Sequence, residues 1–342
     1  MEAWKRLGGF IGSHMAFISP ACVVLGVLFP SELSVLKPAV TALFAFMTFQ
    51  SSLSNTFSNL RRCVRHPAPL LTCLALTCLV MPTLAWLLGT ALFGASPNLV
   101  CGIVLEYSVP VAVVSAMWIN MFGGDPALGL ATVLVSTVLS PVTIPLTLQV
   151  LLGRVVEVDA VGMMGDMLVS IALPALLGTA LNEGTRGRAA RGLSPALAPA
   201  AKMALVLVIL SNSTGVAPYV RALTPTLVGV AAFIGGFAAA GYATGLALSR
   251  AWGRPREQQV SMTYLVGMRN ISAGAVIAGA YFPGEVMFPV VIGTLFQQVL
   301  AAGFGSLLRR LRRRDEAAPP AAAAVAQASG GDDAGAVDRR PE

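Results

Sequence analysis

Charge is scarce in this sequence: Asp, Glu, Lys and Arg make up 11% of its 342 residues, against about 25% in soluble proteins. A fold that meets water on every side needs more charged residues than this. Apolar residues account for 56%, and the mean hydropathy is +0.75. The composition therefore excludes an ordinary soluble domain and favours an integral membrane protein.

The residue patterns that metal centres and catalytic sites need are also missing. The chain has two histidines and five cysteines, and no two cysteines form a C-x-x-C pair. Most of the cysteines lie within or at the ends of apolar stretches, where cysteine behaves as a small hydrophobic residue. No Ser/His/Asp set, Walker loop or dinucleotide fingerprint occurs. The sequence therefore predicts neither a metal centre nor an enzyme.

The apolar residues are grouped into ten stretches of transmembrane length, each bounded by Gly, Pro or charge. They lie near residues 14–29, 37–53, 69–93, 99–122, 127–152, 161–181, 197–216, 227–249, 260–282 and 286–308. We therefore predict an all-α, polytopic membrane protein with one transmembrane domain over residues 1–308. A tail over 309–342 begins with basic residues. From Asp315 it is rich in Ala, Pro, Gly and Asp and is predicted to be disordered.

The positions of the basic residues predict the orientation in the membrane. They precede the first stretch, follow the tenth, and occupy every second connection except the very short one between stretches four and five. This set is Lys5, Arg6, Arg61, Arg62, Arg65, Arg186, Arg188, Arg191, Arg250, Arg254, Arg256, Arg309, Arg310, Arg312, Arg313 and Arg314. The opposite connections carry only Lys37, Arg154 and Arg221. We expect a multi-pass membrane protein with both termini cytoplasmic.

Two features refine the charge pattern. Lys202, near the start of the seventh stretch, is expected to extend its side chain to the cytoplasmic side. The basic C-terminal cluster is expected to meet anionic lipid headgroups. Nucleic acid is not predicted as a partner, because no basic stripe is interleaved with aromatic residues.

Polar residues and helix breakers interrupt two of the stretches, one in each half of the chain. Residues 260–282 carry Gly267-Met268-Arg269-Asn270, where glycine lets the backbone leave helical geometry. Residues 99–122 are interrupted by Pro110, with Glu106 one turn before it and Ser115 just after it. Polar, irregular backbone at membrane depth is tolerated only where protein buries it or where it lines a watery cavity. Interrupted helices at corresponding positions of two halves indicate the binding site of an inverted-repeat transporter.

The charged residues of the two interruptions differ in how they can be interpreted. Arg269 lies roughly midway along its stretch, too far from the helix ends for its side chain to reach the headgroups. Glu106 is either a structural partner of Arg269 or a titratable or cation-binding carboxylate, and the two roles are compatible. Asn270 suits either a ligand or the free carbonyls of a broken helix.

These interruptions resemble those of the bile acid:sodium symporter family. Residues 110–125 fit the family's fourth helix without a gap, and Gly267-Met268-Arg269-Asn270 is similar to its ninth-helix motif Glu-x-Gly-x-Gln-Asn. The resemblance implies ten helices in two inverted five-helix repeats, here about 14–152 and 161–308. It also implies that helices one, two, six and seven form a panel domain and the others a core domain. The fourth and ninth helices would be unwound and would cross beside two sodium ions.

The resemblance also shows that this chain lacks most of the family's sodium ligands. The ninth-helix glutamate and glutamine correspond to Leu265 and Arg269, so a fixed cation is gained where a carboxylate is lost. Two like charges about 4 Å apart repel by about 4 kcal/mol at an effective dielectric constant of about 20. A sodium ion would therefore be repelled from this site, and Glu106 could supply the compensating negative charge.

The remaining ligand positions are only partly preserved. The fourth-helix Ser-Asn pair corresponds to Ser115 and Ala116, and the two fifth-helix hydroxyl residues correspond to Gly129 and Val133. The third-helix glutamine corresponds to Thr77. The ion-coupling candidates are Glu106, Thr77, Ser115, Thr132 (next to Val133) and the backbone carbonyls of Val266 and Met268.

The sequence thus predicts a secondary transporter that moves a small or amphipathic organic anion by alternating access. The substrate-binding candidates are Arg269, Asn270, Ser115, Pro110 and Gly267. No resident cofactor or structural metal is expected, and the coupling ion is left open between sodium and a proton. An arsenite-type efflux carrier of the same superfamily is an alternative, although no cysteine lies near Pro110. A membrane receptor or scaffold without transport is the alternative from another class.

Overall fold

The computed structural model describes residues 2–65, 67–153, 156 and 159–317. Over these ranges the protein is helical, and strand pairing is limited to one isolated bridge between Val111 and Arg269. The helices are α1 (Glu2–Ser13), α2 (Met15–Leu28), α3 (Pro30–Ser52), α4 (Phe57–Arg65), α5 (Ala68–Phe93), α6 (Pro97–Ser108), α7 (Ser115–Met121), α8 (Pro126–Leu152), α9 (Ala160–Gly184), α10 (Ala189–Arg221), α11 (Pro225–Ala251), α12 (Arg256–Gly267), α13 (Ile271–Tyr281) and α14 (Gly284–Ala317).

The long helices begin at local signals that the sequence supplies. Asp125 caps α8, where its carboxylate accepts hydrogen bonds from the backbone N–H groups of Ala127 (2.9 Å) and Leu128 (3.2 Å). Thr224 caps α11 in the same way, and both helices place proline at their first position. Such starts satisfy N–H groups that have no partner inside the helix. Each helix then runs for 27 residues, which is long enough to cross a bilayer.

Seven helices among the described residues are long and apolar enough to cross a membrane: α3, α5, α8, α9, α10, α11 and α14. Helices α1 and α2, bent by 83° at their junction, give an eighth if they are counted as one span. The other two predicted stretches are the interrupted ones, whose halves are too short to qualify separately. All ten stretches are helical, whereas ten crossings and inverted repeats stay predictions.

The outer surface of the molecule is apolar. Large side chains on several helices are more than 70% exposed: Phe17, Val35, Val150, Val161 and Val299. A soluble protein rarely leaves so many large apolar groups in water, whereas a lipid environment accepts them. The surface therefore agrees with an integral membrane protein.

The start of the C-terminal tail differs from the prediction. Helix α14 continues to Ala317, so the chain is still helical at Asp315, where disorder was expected to begin. The Asp315 carboxylate lies 3.3 Å from Arg250 and 3.7 Å from Arg256. These partly exposed ion pairs join the end of α14 to the last turn of α11 and the first turn of α12. The remaining tail, residues 318–342, and Arg154 lie outside the described residues.

Helix packing divides the molecule into two groups. Helix α10 packs along α2 and α3, and α9 packs against α3. In the other group α6 packs against α5 and α14, while α11 packs against α12 and α14. The two groups meet where α10 and α3 face α13 and α14 and where α9 packs against α8, and the interrupted helices lie beside the first of these contacts.

Candidate functional site

The two interrupted stretches are broken in the structure and pair with each other. Helix α6 ends at Ser108 and α7 begins at Ser115, while α12 ends at Gly267 and α13 begins at Ile271. The backbone N–H of Asn270 donates to the Pro110 carbonyl (2.9 Å), and that of Ala112 donates to the Met268 carbonyl (3.3 Å). Backbone groups freed by one break are thus satisfied by the other. Both predicted interruptions and their contact are confirmed.

Each break has a local cause. Pro110 has no N–H and disfavours helical geometry in the preceding residue, and Val109 is accordingly extended (φ −67°, ψ 154°). Met268 is extended as well (φ −106°, ψ 130°). Asn270 then starts α13, because its side chain accepts a hydrogen bond from the Ala273 N–H (3.3 Å).

Gly267 plays a different part from the one predicted. Its backbone remains in the last turn of α12, and it is not among the described glycines with positive φ. The aromatic ring of Tyr242 lies against its Cα, where a Cβ atom would overlap the ring. Glycine is therefore needed for close packing with α11, and the sequence around Gly267 gives no local sign of that contact.

Two side chains from neighbouring helices hold the broken backbone. The Ser136 hydroxyl of α8 accepts a hydrogen bond from the Val111 N–H (3.2 Å). The Gln297 side-chain oxygen of α14 accepts one from the Arg269 N–H (2.9 Å). Sequence reasoning missed both residues, although the paired amides Gln297 and Gln298 inside an apolar stretch were a usable signal.

A cavity of about 440 Å³ lies between the two helix groups. One wall comes from α2, α3 and α10 and includes Ser19, Thr48, Gln50, Ser51 and Lys202. The opposite wall comes from the breaks and α14 and includes Ala112, Val113, Val114, Arg269, Asn270, Gln297 and Gln298. No acidic side chain is among the described residues that line it. The cavity therefore combines two cationic groups, several amides and hydroxyls, and apolar surface.

The Arg269 side chain is the most unusual group of this cavity. It is 2% exposed, and its Nε, Nη1 and Nη2 atoms have no hydrogen-bond partner in the described part of the chain. A buried charge without partners is unstable. Lys202 differs, because its Nζ donates to the Gly8 carbonyl (2.7 Å). The Arg269 guanidinium is thus the group with unused donors next to the cavity.

Glu106 is buried near Arg269 without touching it. The side chain is 3% exposed, and its Oε2 atom has no hydrogen-bond partner within the described ranges. The ion pairs within 4 Å among those residues do not include Glu106 with Arg269. Glu106 does not line the cavity. The two charges therefore face the same region without forming the direct pair that was one predicted role.

The other predicted site residues are buried around the breaks. Pro110, Gly267 and Ser115 do not line the cavity, and the Ser115 hydroxyl has no partner among the residues described. Thr77 donates to the Cys73 carbonyl (2.7 Å), and Thr132 donates to the Leu128 carbonyl (2.8 Å).

Of the two carbonyl candidates, that of Met268 accepts the Ala112 N–H, and Val266 lies in the last turn of α12. The ion-coupling role of all these residues stays a prediction.

A second, smaller cavity of about 250 Å³ lies along the same four helices. It is lined by the other half of each one: Lys37 of α3, Ser211 and Asn212 of α10, Gly279 of α13 and Met287 of α14. The Ser211 hydroxyl is buried and has no partner among the described atoms. The two cavities are thus arranged end to end along the boundary between the helix groups.

Comparison with known proteins identifies the family. Residues 41–222 match the Sodium Bile acid symporter family. "Uncharacterized protein YbaS" of Bacillus subtilis (strain 168) is 40% identical over 296 residues, which cover 86% of this chain and 97% of that protein. The chain belongs to the Sodium Bile acid symporter family. The resemblance predicted from the two interruptions is therefore confirmed.

More distant relatives carry transporter names. "Probable sodium/metabolite cotransporter BASS1, chloroplastic" of Arabidopsis thaliana is 24% identical over 307 residues, covering 88% of this chain and 75% of that protein. "Uncharacterized sodium-dependent transporter YocS" of Bacillus subtilis (strain 168) is 21% identical over 299 residues, covering 87% and 92%. Membership of the Sodium Bile acid symporter family, together with these relatives, supports a membrane transporter.

Proposed function

We propose that this protein is a secondary active transporter that carries an organic anion across the bacterial inner membrane by alternating access. The observation that carries the proposal is the Arg269 guanidinium, buried beside the larger cavity with three unpartnered nitrogens. A carboxylate or sulfonate would supply the missing acceptors, and charge-assisted hydrogen bonds to an ion are stronger than neutral ones. Asn270 next to it offers an amide for the same group.

The lining of the larger cavity supports an amphipathic substrate. Lys202 adds a second positive charge, and no acidic residue among the described lining opposes an anion. Phe44, Met47, Leu205 and Ile209 give the same cavity an apolar side. An anion with an apolar body would satisfy both, because binding sites of this size combine apolar surface with a few polar anchors. No cysteine lines either cavity in the described structure, so nothing there favours arsenite.

The two cavities support alternating access. They lie at opposite ends of the same boundary, so movement of one helix group against the other would close one and widen the other. We assign α2, α3, α9 and α10 to the predicted panel domain and the remaining spans to the core. With both termini cytoplasmic, the cavity that contains Lys202 faces the cytoplasm and the one that contains Lys37 faces outward.

The local charges do not favour sodium as the coupling ion. Leu265 stands where the family resemblance places a carboxylate, and Arg269 adds a fixed positive charge. A sodium ion about 4 Å from that charge would be repelled by about 4 kcal/mol at an effective dielectric constant of about 20. We infer that transport depends little on sodium, although relatives carry sodium in their names.

Anion binding to the purified protein tests this function. A panel of carboxylates and sulfonates, added as potassium salts, should include anions that raise the thermal stability of the wild type. Arg269→Gln should lose that stabilisation, because a neutral amide cannot replace the charge. The control Arg250→Gln removes a partly exposed arginine that pairs with Asp315 and should keep it. Stabilisation that survives Arg269→Gln, or that requires sodium, would contradict the proposal.

A further inference from the structure

One glycine makes room for the Glu106 carboxyl. A Cβ atom on Gly293 of α14 would lie 2.5 Å from Glu106 Oε1, whereas one on Gly274 of α13 would first meet Val290 (2.9 Å) and Val109 (3.1 Å). No hydrogen-bond donor among the described residues reaches Oε2. The carboxyl is therefore enclosed in a space that fits it and that offers little to stabilise its negative charge.

Arg269 is the charged group that acts on Glu106 electrostatically. From its own helix, Tyr107 is adjacent, but its hydroxyl donates to the Ile234 carbonyl of α11 (3.0 Å). From α5, Cys78 lies near enough to Arg269 to act on it. Helix α8 has no titratable side chain, and neither have residues 271–278 and 286–297 of the adjoining α13 and α14. Cys101, on the same helix as Glu106, is buried as well. Among the described residues, Glu106 and Arg269 are thus the two oppositely charged groups of this region, although they form no direct ion pair.

The two members of this pair differ in what they can reach. Arg269 lines the larger cavity, where the proposed anion would bind once its buried guanidinium is uncovered, whereas Glu106 lies outside the cavity. Only one full negative charge is needed to neutralise Arg269 in this buried place. A bound anion and an ionised Glu106 would leave one excess negative charge in a poorly solvated region, which is costly.

We propose that Glu106 binds and releases the proton of an anion–proton symport, an inference that rests on the anion site proposed above. Without substrate, the Glu106 carboxylate neutralises Arg269. When an anion binds to Arg269, a proton from water joins the Glu106 carboxylate and forms a neutral carboxylic acid. One anion and one proton then cross together, and both leave on the other side. The charge of the site stays at zero throughout the cycle.

Proton uptake on anion binding tests the inference directly. The probe is benzenesulfonate, the anion of a strong acid, so any proton taken up must join the protein. In weakly buffered solution the purified wild type should take up about one proton per bound anion, and its affinity should fall about tenfold per pH unit above the titration of Glu106. Glu106→Gln should bind without proton uptake and without that pH dependence.

A matched control and a second measurement make each outcome decisive. Glu285→Gln changes a carboxylate that pairs with Asn98 outside both cavities, and it should behave as the wild type. Should Glu106→Gln fail to fold, infrared difference spectra of the wild type should still show a protonated carboxyl band when benzenesulfonate is added. Binding without proton uptake or without that band overturns the proton site and leaves the anion site standing. A wild type that binds neither benzenesulfonate nor any other anion of the panel overturns the anion site, and the proton site with it.

Discussion

At the scale of single residues, the position of the Glu106 carboxyl depends on the missing side chain of a neighbouring glycine. Gly293 comes close enough for one added methyl group to meet the carboxyl. A shorter side chain such as aspartate or alanine would not need this space. The contribution of this contact between Gly293 and Glu106 to stability can therefore be measured apart from transport.

Gly293→Ala should destabilise the protein by about 1–3 kcal/mol, because the new methyl group would lie 2.5 Å from Glu106 Oε1 and overpack the space. The double variant Gly293→Ala with Glu106→Ala should recover part of that loss, because the clash disappears. Thermal unfolding in detergent measures both. The control Gly303→Ala lies on the same helix with no neighbouring atom within 4 Å and should have little effect. Equal losses of stability in the single and double variants would show that the effect of Gly293→Ala does not arise from contact with the carboxyl.

At the scale of elements, each break is fixed by hydrogen bonds from a helix distant in sequence. The Val111 N–H has no partner within its own helix, because the chain leaves helical geometry at Val109. Ser136 of α8 accepts that N–H. The break thus has a defined hydrogen-bonded structure, and we expect Ser136 to contribute a measurable part of its stability.

Ser136→Ala should lower the stability by about 1–3 kcal/mol, because a buried N–H group would lose its acceptor. Ser249→Ala is the matched control, since Ser249 is equally buried and its hydroxyl donates to the Leu246 carbonyl of its own helix. Both variants should be compared by thermal unfolding. A loss at Ser249 as large as that at Ser136 would mean that the break does not depend on this bond.

The sequence predicted the two helix breaks of the site better than the residues that line the cavity beside them. Pro110 and the buried Arg269 are local signals, and the breaks followed from them. Lys202 and Gln50 reach the cavity only because α3 and α10 pack beside α13 and α14, and no pattern within a single helix encodes that packing. The close approach of Tyr242 to Gly267 is also a contact between distant segments, so the glycine was found but its role was not.

At the scale of the whole molecule, the direction of transport depends on which cavity faces which side of the membrane. Both cavities follow the boundary between the helix groups, one with Lys202 and the other with Lys37. The alternating basic connections predict that the Lys202 end is cytoplasmic. An inverted topology would exchange the two cavities and reverse the side from which Arg269 is reached.

Cysteine labelling from outside intact cells tests this orientation with two exposed positions at opposite ends of α10. Arg188, in the connection before α10, is predicted to be cytoplasmic, and Leu223, in the connection after it, is predicted to face outward. A membrane-impermeant maleimide should therefore label Leu223→Cys in intact cells and Arg188→Cys only after the membrane is opened. The unaltered chain is the control, because four of its five cysteines are buried and Cys78 is partly buried. Labelling of Arg188→Cys from outside would reverse the topology, and the cavity beside Arg269 would then open to the outside.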